Sequence, residues 1–484
     1  MNREVELKLE LAPDAADAFG RLDWFPADSD VATLRSIYFD TAQRDLAGRG
    51  ISLRIRRANG QRVQTVKADG EGGAGLFARA EWEMPVADDA PVLDARTPIA
   101  ELLGQGVHGI QPVFHAEVER RRWIVRQDDA LIELVLDRGQ VSAGDRQAAI
   151  CEVELELKSG SPGALFLLAR RIDAEMPVRP GVLTKAERGY RLRDRLAAFV
   201  KAEPVALDPS MRAEEALSRI AGSCLRHYRL NEALLLDHYD PGALHQARVA
   251  IRRLRSALSL FRPMLAPADV ERFQGELKWL AAMLGEARNL DVLAERVETE
   301  ELRERWDAVR GEVHGRVQEW LRSARVRMLL IDLVEWLTLG AGLGGGKALA
   351  MRDEPAADFA ARRLRRLRRR IAKEGRGLAG LSDEARHEVR KDAKKLRYAS
   401  EFFAGLFEGR KARRRRGKFI AALEQVQSEL GALNDLVAAP GLLAHYGLGG
   451  EEARLRPKRK RKRKLLGAAA RAHEDLLEAP RFWR

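Results

Sequence analysis

Glu4, Glu6 and Lys8 alternate with Val5, Leu7 and Leu9 near the start of the chain. In an extended strand a period of two places the three charged groups on one face and the three apolar groups on the other. The pattern returns as Glu152, Glu154 and Glu156 against Val153, Leu155 and Leu157. Shorter versions give Arg54 with Arg56, Arg120 with Arg122, Glu133 with Asp137, and Arg79 with Glu81 and Glu83. A single such strand is explained by a sheet with one wet surface. Taken together the strands argue otherwise, because a solvated face normally mixes Thr, Ser, Gln and Lys. Here one face after another is almost wholly Glu, Asp and Arg, a composition suited to a closed barrel with a charged interior. Clustered carboxylates repel unless they hold a divalent cation, and clustered Arg and Lys need an anion. Mg²⁺ and Mn²⁺ prefer carboxylate oxygens and commonly bind substrate phosphate as well. Carboxylates, metal and many cations around one cavity point to phosphoryl transfer.

A second chemical pattern has a helical period. His245, Arg248, Arg252 and Arg255 fall within an arc of about 80° on a helix, with Ala247, Ala250, Ile251, Leu254 and Leu258 largely opposite. The same offsets recur 142 residues later as His387, Arg390, Lys394 and Arg397. Downstream, Leu284-Gly285-x2-Arg288-Asn289 recurs as Leu430-Gly431-x2-Asn434-Asp435. Two matched segments in one order indicate a duplication. A solvated basic face paired with acids on a neighbouring helix is the plain account of one such stripe. Repetition of the stripe, with few acids at i, i+4, favours an extended polyanion, for which Arg supplies bidentate contacts to phosphate oxygens.

The surrounding chain assigns these patterns to separate elements. At 484 residues, with 45% hydrophobic and 32% charged residues, the protein is globular and long enough for two or three domains. Residues 1–200 hold 28 basic and 32 acidic residues, so the net charge of +13 arises entirely from the later part. Period-two alternation broken by Asp69-Gly70-Glu71-Gly72-Gly73 and Gly144-Asp145 marks the first part as mostly antiparallel β, followed by a helix from about Leu165 to Glu175. After Pro204 and Pro209 the texture is helical, and Gly340–Gly346 cuts it near the middle. The fold expected is α+β, with units at 1–200 and 211–480, a linker at 201–210, and halves of the helical unit at 211–339 and 347–480. The apolar stretch from Met328 to Gly346 contains Asp332 and Glu335, so it does not read as a membrane span, and the charged start does not read as a signal peptide. Cys151 and Cys224 match no zinc spacing or disulfide framework. A soluble, cytoplasmic protein is expected.

The strand motifs carry a resemblance. Glu4-x-Glu6-x-Lys8, Tyr38-Phe39-Asp40-Thr41, Leu53-Arg54-Ile55-Arg56, Thr65-Val66-Lys67, Leu136-Asp137-Arg138-Gly139 and Thr184-Lys185-Ala186-Glu187-Arg188-Gly189-Tyr190 resemble, in order, the CYTH or triphosphate tunnel metalloenzyme family over about 1–195. The resemblance implies an eight-stranded antiparallel tunnel with flanking helices that binds triphosphate and Mg²⁺ or Mn²⁺. Matching positions imply metal ligation by Glu4, Glu6, Asp137, Glu152 and Glu154. They also imply a phosphate path along Lys8, Arg54, Arg56, Lys67, Arg120, Arg122 and Lys185, with Glu4, Glu6 and Lys8 catalytic. Glu156 and Arg79 face the same way, as tunnel lining or as scaffold. Tyr38 and Trp82 read as packing. No aromatic cluster suggests a nucleoside or thiamine pocket, so inorganic triphosphate is the substrate expected.

The helical repeat resembles the CHAD family over about 211–480. That resemblance implies two four-helix bundles whose facing basic surfaces bind inorganic polyphosphate through the eight residues named above. Arg253, Lys395, Arg288 and Asn434 are secondary candidates. Three further basic runs, Arg362–Arg370, Arg410–Lys418 and Arg456–Lys464, lie outside these motifs and are open to nonspecific nucleic acid, without interleaved aromatics for base stacking. The expected protein is an inorganic triphosphatase tethered to polyphosphate, associated with polyphosphate granules. The alternative is a non-catalytic protein that binds such granules.

Overall fold

The computed structural model describes residues 4–68, 72–73, 75–94, 96–194, 197–294, 300–340, 347–445 and 459–483. Most of Gly340–Gly346, the turn at 69–71 and the start of the run Arg456–Lys464 lie outside the described residues. The chain forms two compact units: Met1–Ala198 with Arg322–Ala341, and Phe199–Leu321 with Gly342–Arg484. Among the described residues no helix is long and apolar enough to cross a membrane.

Ten antiparallel strands form one sheet in the first unit: β1 (Glu4–Leu11), β2 (Asp30–Asp40), β3 (Ile51–Ala58), β4 (Gln61–Ala68), β5 (Gly72–Gly73), β6 (Leu76–Pro85), β7 (Gln111–Gln127), β8 (Ala130–Ala143), β9 (Arg146–Ser159) and β10 (Val178–Pro180). Eight of them close a ring in the order β1-β9-β8-β7-β2-β3-β4-β6, completed by pairing of β6 with β1. The ring thus has the eight strands expected, and the short strands β5 and β10 are appended to β6 and β1. Asn59 and Gly60, both at positive φ, join β3 to β4 in the tight two-residue turn that an Asn-Gly pair favours.

Alternation along each strand makes the ring inside out relative to a water-soluble barrel with an apolar centre. Leu53, Ile55 and Val66 are buried on the outer face, under Phe39, Leu46 and Ile99. Their neighbours Arg54, Arg56 and Thr65 face the cavity. Leu34, Phe114, Val118 and Ile150 form a second outer cluster with Tyr38, and Tyr190 packs against it.

Helices of two turns or more are numbered in chain order. In the first unit α1 (Gly163–Glu175) lies against β1, β7 and β9, and α2 (Lys185–Arg193) against β7, β8 and β9. Gly189 of α2 permits this approach, since a Cβ there would stand 2.2 Å from the Phe114 ring.

The second unit carries two runs of four helices, which match the two sequence copies. The first run is α3 (Ala213–Asp237), α4 (Pro241–Phe261), α5 (Pro267–Ala294) and α6 (Glu300–Arg322). The second is α8 (Ala356–Glu374), α9 (Asp383–Phe402), α10 (Arg410–His445) and α11 (Arg459–Glu478). The motif helices α4 and α9 pack on one another, and Arg253 Nη1 reaches Glu401 Oε2 at 2.6 Å across that contact.

The intervening helix α7 (Ala324–Leu339) was assigned by sequence pattern to the first helical copy, yet it packs in the first unit, against α1 and β10. Val326, Leu330, Leu333 and Val334 are buried there. Arg327 Nε meets Asp173 Oδ1 at 2.6 Å with both side chains nearly inaccessible. Arg170 Nη2 meets Asp332 Oδ1 at 2.7 Å and also pairs with Glu335, which accounts for two charges inside an otherwise apolar stretch. Removing one partner of a buried pair leaves an uncompensated charge, at about 3–5 kcal/mol. Arg327→Ala is therefore expected to lower unfolding stability by about 3 kcal/mol. Equal urea midpoints for variant and wild type would show that α7 is not an integral part of this unit.

Candidate functional site

The ring encloses a cavity of about 750 Å³ lined by charged groups from β1, β3, β4, β6, β7, β8 and β9 and by the start of α2. Register decides which groups meet. Lys8 stands opposite Glu154 across β1 and β9, Asp137 opposite Glu152 across β8 and β9, and Arg120 opposite Asp137 across β7 and β8. Lys185 arrives from another direction, as the first residue of α2. Thr184 and Glu187 form a reciprocal capping box, Thr184 Oγ1 accepting from Glu187 N at 3.1 Å and Glu187 Oε2 from Thr184 N at 2.8 Å.

These elements bring three acids and three cations into one buried cluster. Lys185 Nζ lies 2.5 Å from Asp137 Oδ2, 2.5 Å from Glu152 Oε1 and 2.9 Å from Glu154 Oε1. Lys8 Nζ lies 3.2 Å from Glu152 and 3.1 Å from Glu6, and pairs with Glu154. Arg120 reaches Asp137 with two nitrogens, at 2.7 and 2.6 Å, and Glu154 at 2.7 Å. Burial opposes charge on Lys8, Lys185, Arg120, Asp137 and Glu154, and the opposite charges around them offset it. Burial alone would push Lys8, Lys185 and Arg120 down. The carboxylates around each more than offset this and hold all three above their usual range. Burial would likewise push Asp137 and Glu154 up, but Lys185 and Arg120, joined at Glu154 by Lys8, hold them below the usual carboxylate range.

Asp137, Glu152 and Glu154 each present an oxygen within 4.8 Å of the others. Glu152 Oε2 is buried and accepts no hydrogen bond. An all-carboxylate set with an unused buried oxygen fits a hard divalent ion such as Mg²⁺ or Mn²⁺. Glu6 lines the same cavity. Glu4 opens β1 opposite Arg79, and both side chains lie outside the described residues.

The opposite wall is cationic. Arg54 and Arg56 line the cavity, and the Nε of each is buried without a hydrogen-bond partner. Among the described residues neither has a carboxylate partner. Burial, with repulsion from Arg54 and Arg120, lowers Arg56 to about 10. Lys67 also lines the cavity, 3.2 Å from Glu81 Oε2.

Arg122 differs from the expectation. It shares a strand face with Arg120 but is exposed at the ring's edge, paired with Asp30 and 3.6 Å from Glu133. Glu156 lines the cavity, paired with Lys158 at 2.7 Å. Tyr38 both packs, stacked on Phe114 with ring centroids 4.6 Å apart, and lines the cavity, whereas Trp82 packs in the outer core.

Four contributors were given no role in the sequence reading. Lys158 extends the period-two face of Glu152, Glu154 and Glu156, so its signal was present. Thr184-x2-Glu187 carried a capping-box signature. Arg188, 2.8 Å from Glu10 Oε1 and 3.7 Å from Glu152 Oε2, stands in the Thr184–Tyr190 motif run, which by itself gave it no role.

In the second unit the two sequence motifs meet. The first motif of each copy lies on α4 or α9 and the second on α5 or α10. Arg248 Nη1 donates to Ala281 O at 2.9 Å, across the α5 backbone beside Gly285, where a Cβ would stand 2.6 Å from that nitrogen. Gly431 receives Arg390 more loosely, at 3.5 Å. His387 Nδ1 lies 2.9 Å from Asn434 Oδ1. In the first copy burial and then Arg288, Arg252, Arg248 and Lys394 lower His245 to about 4. Burial, with Arg252 and Arg288, lowers Arg248 to about 10. Arg252 Nε is buried without a hydrogen-bond partner. Arg255 meets Gln274 at 3.3 Å, and Arg397 meets Gln427 at 3.0 Å and pairs with Glu401. Lys394 adds to the field at His245, and Lys395 lies 3.6 Å from Asp392. Arg253 instead ties α4 to α9 through Glu401 and the Phe402 ring.

The tunnel's charges set an acid dependence. Asp137 and Glu154 resist protonation when folded, so their contribution is complete above the unfolded carboxylate range near pH 4 and is lost as pH falls through their lower folded values. Urea midpoints at pH 6 and pH 3 should differ less for Glu154→Gln than for wild type. An equal difference would show that Glu154 carries no such linkage.

The family comparisons divide the chain as the two kinds of motif do. Residues 2–190 match the CYTH domain and residues 219–444 the CHAD domain. An inorganic triphosphatase of Haemophilus influenzae is 28% identical over 198 residues, which is 40% of this chain and 55% of the relative. The chain thus spans about half the length of that relative. The uncharacterized protein MT2285 of Mycobacterium tuberculosis is 28% identical over 395 residues, 76% of this chain and 75% of that protein. The crystal structure of the CHAD domain from the plant Ricinus communis is 30% identical, with 58% of this chain and 97% of that one covered and a TM-score of 0.48. The chain carries a CYTH domain followed by a CHAD domain.

Proposed function

We propose that the tunnel hydrolyses inorganic triphosphate with Mg²⁺ or Mn²⁺, and that the basic face of the helical unit binds inorganic polyphosphate. The observation that carries the first part is the unneutralised pair Arg54 and Arg56, which share one cavity with the carboxylates Glu6, Glu154 and Glu156. A binding wall of unpaired guanidinium groups calls for an oxyanion, and those carboxylates call for a hard cation. Similarity to an inorganic triphosphatase supports the same substrate class.

Asp137, Glu152 and Glu154, with Glu6 and with Glu4 as the preceding position of the same period-two face, would hold the ion, which when bound supplies Lewis-acid charge to phosphate oxygens. Arg54, Arg56 and Lys67 bind phosphate oxygens and fix the substrate along the tunnel. Arg120, Lys8 and Lys185 orient the carboxylates and offset charge that develops toward the leaving phosphate. Positioning and neutralisation account for most of the catalysis in such a transfer. A cytoplasmic location with association to polyphosphate granules belongs to the same proposal.

Phosphate release from tripolyphosphate should require Mg²⁺ or Mn²⁺ and should fall about a hundredfold or more in Glu152→Gln/Glu154→Gln. Binding of tripolyphosphate without release by wild type would move the protein to a non-catalytic class. On the helical face, Gly285→Ala drives a methyl group into Arg248, whereas Gly431→Ala meets Arg390 at ordinary contact distance. Gly285→Ala should therefore weaken binding of long-chain polyphosphate several-fold more than Gly431→Ala. Equal affinities would place the polyphosphate site elsewhere.

A further inference from the structure

The basic runs outside the paired motifs assemble into a surface of their own. On α8, Phe359, Ala360, Leu364 and Ile371 are buried, whereas Arg365, Arg366, Arg369 and Lys373 are exposed. Those four cations fall within an arc of about 100° and extend about 12 Å along the helix. None has an ion pair among the described residues.

This row is separate from the motif stripe. Arg370 of α8 meets Asp392 of α9 at 2.7 Å. On the α9 wheel Asp392 stands about 140–160° from His387, Arg390, Lys394 and Arg397, so α8 covers the far side of α9. A second run joins the first there. Arg416 Nη1 donates to Ala404 O at 2.6 Å, and the adjacent Phe403 ring packs on Phe359 of α8 with centroids 6.5 Å apart. The start of α10, with exposed Arg410 and Arg414, therefore emerges beside the start of α8.

The side chains on these two helices narrow the partner. Among the described residues the exposed large apolar side chains are Val31, Leu102, Ile124, Leu167 and Leu349, none of them on α8 or at the start of α10, so these faces offer no described apolar group to a lipid layer. Phe359 and Phe419 are buried and unable to stack with bases, which disfavours single strands. A row of unpaired cations about 12 Å long, with further exposed Arg at the start of α10, instead suits the phosphate backbone of a duplex, which can be held without base contacts. We propose that the outer faces of α8 and of the start of α10 form a binding surface for double-stranded nucleic acid, independent of sequence.

The test uses the full chain and a labelled short DNA duplex, titrated across a range of salt concentrations. Arg365→Glu/Arg366→Glu/Arg369→Glu should weaken duplex binding at least about tenfold. It should also flatten the log–log salt slope by about 2 to 3, at about 0.9 per lost phosphate contact. The same variant should bind polyphosphate as wild type does, and Arg248→Gln/Arg252→Gln should keep duplex affinity within about twofold. The milder Arg365→Gln/Arg369→Gln should show the same direction if charge reversal perturbs folding. Absence of duplex binding by wild type overturns the proposal. So does unchanged duplex affinity in the outer-face variants, or loss in them of polyphosphate or anionic-vesicle binding alone.

Discussion

Six charged groups that water would normally keep apart are held together inside the first unit, and the charge of each is offset by the others. Lys8, Lys185 and Arg120 neutralise Asp137, Glu152 and Glu154 in a space where Asp137 and Glu152 have no accessible surface. Stranding one member would cost several kcal/mol, so the strands that carry them must keep their register. A slip of one residue would carry these charges outward and bring Leu7, Val153 and Leu155 into the cavity. The apolar outer face and the charged inner face thus enforce the same register from opposite sides.

That requirement reaches beyond the ring. Lys185 is placed by a helix, and the helix is placed by its Thr184 cap and by the closeness that Gly189 allows to Phe114. On the outside, α1 covers β1, β7 and β9, and α7 covers α1 in turn, through Arg327 on Asp173 and Arg170 on Asp332 and Glu335. A segment that lies between the two helical copies in sequence thereby stabilises the strands that hold the acids.

The helical unit meets the opposite problem. Its motif face gathers cations that repel, and the structure meets several of them with backbone carbonyls and amides, with Glu401 on Arg397 beside them. Arg248 donates to Ala281 O, Arg255 and Arg397 use Gln274 and Gln427, and His387 uses Asn434. Such partners fix position while leaving positive charge uncancelled, which keeps the face attractive to a polyanion. Acids tie the motif helices to their neighbours: Glu401 pairs with Arg253 as well as with Arg397, and Asp392 pairs with Arg370.

Period two in Glu4–Leu11 and Ile150–Leu157, and a period near 3.6 in the duplicated His-Arg segments, were enough to place charged faces on strands and helices, because side-chain direction follows directly from local geometry. The close contacts behind two motif glycines, Gly189 and Gly285, and the partners of Asp332 and Glu335 were not legible, since each depends on a segment distant in sequence. Arg122 shows the limit within a single strand. Its alternation with Arg120 was correct, but only the height of the ring decides that Arg120 is enclosed and Arg122 stands at the edge. The sequence alone determined residue chemistry, periodicity and duplication. Tertiary structure decided which charges are buried together, which of them lack partners and which helix supports which unit, because burial and neutralisation depend on neighbours that local sequence cannot specify.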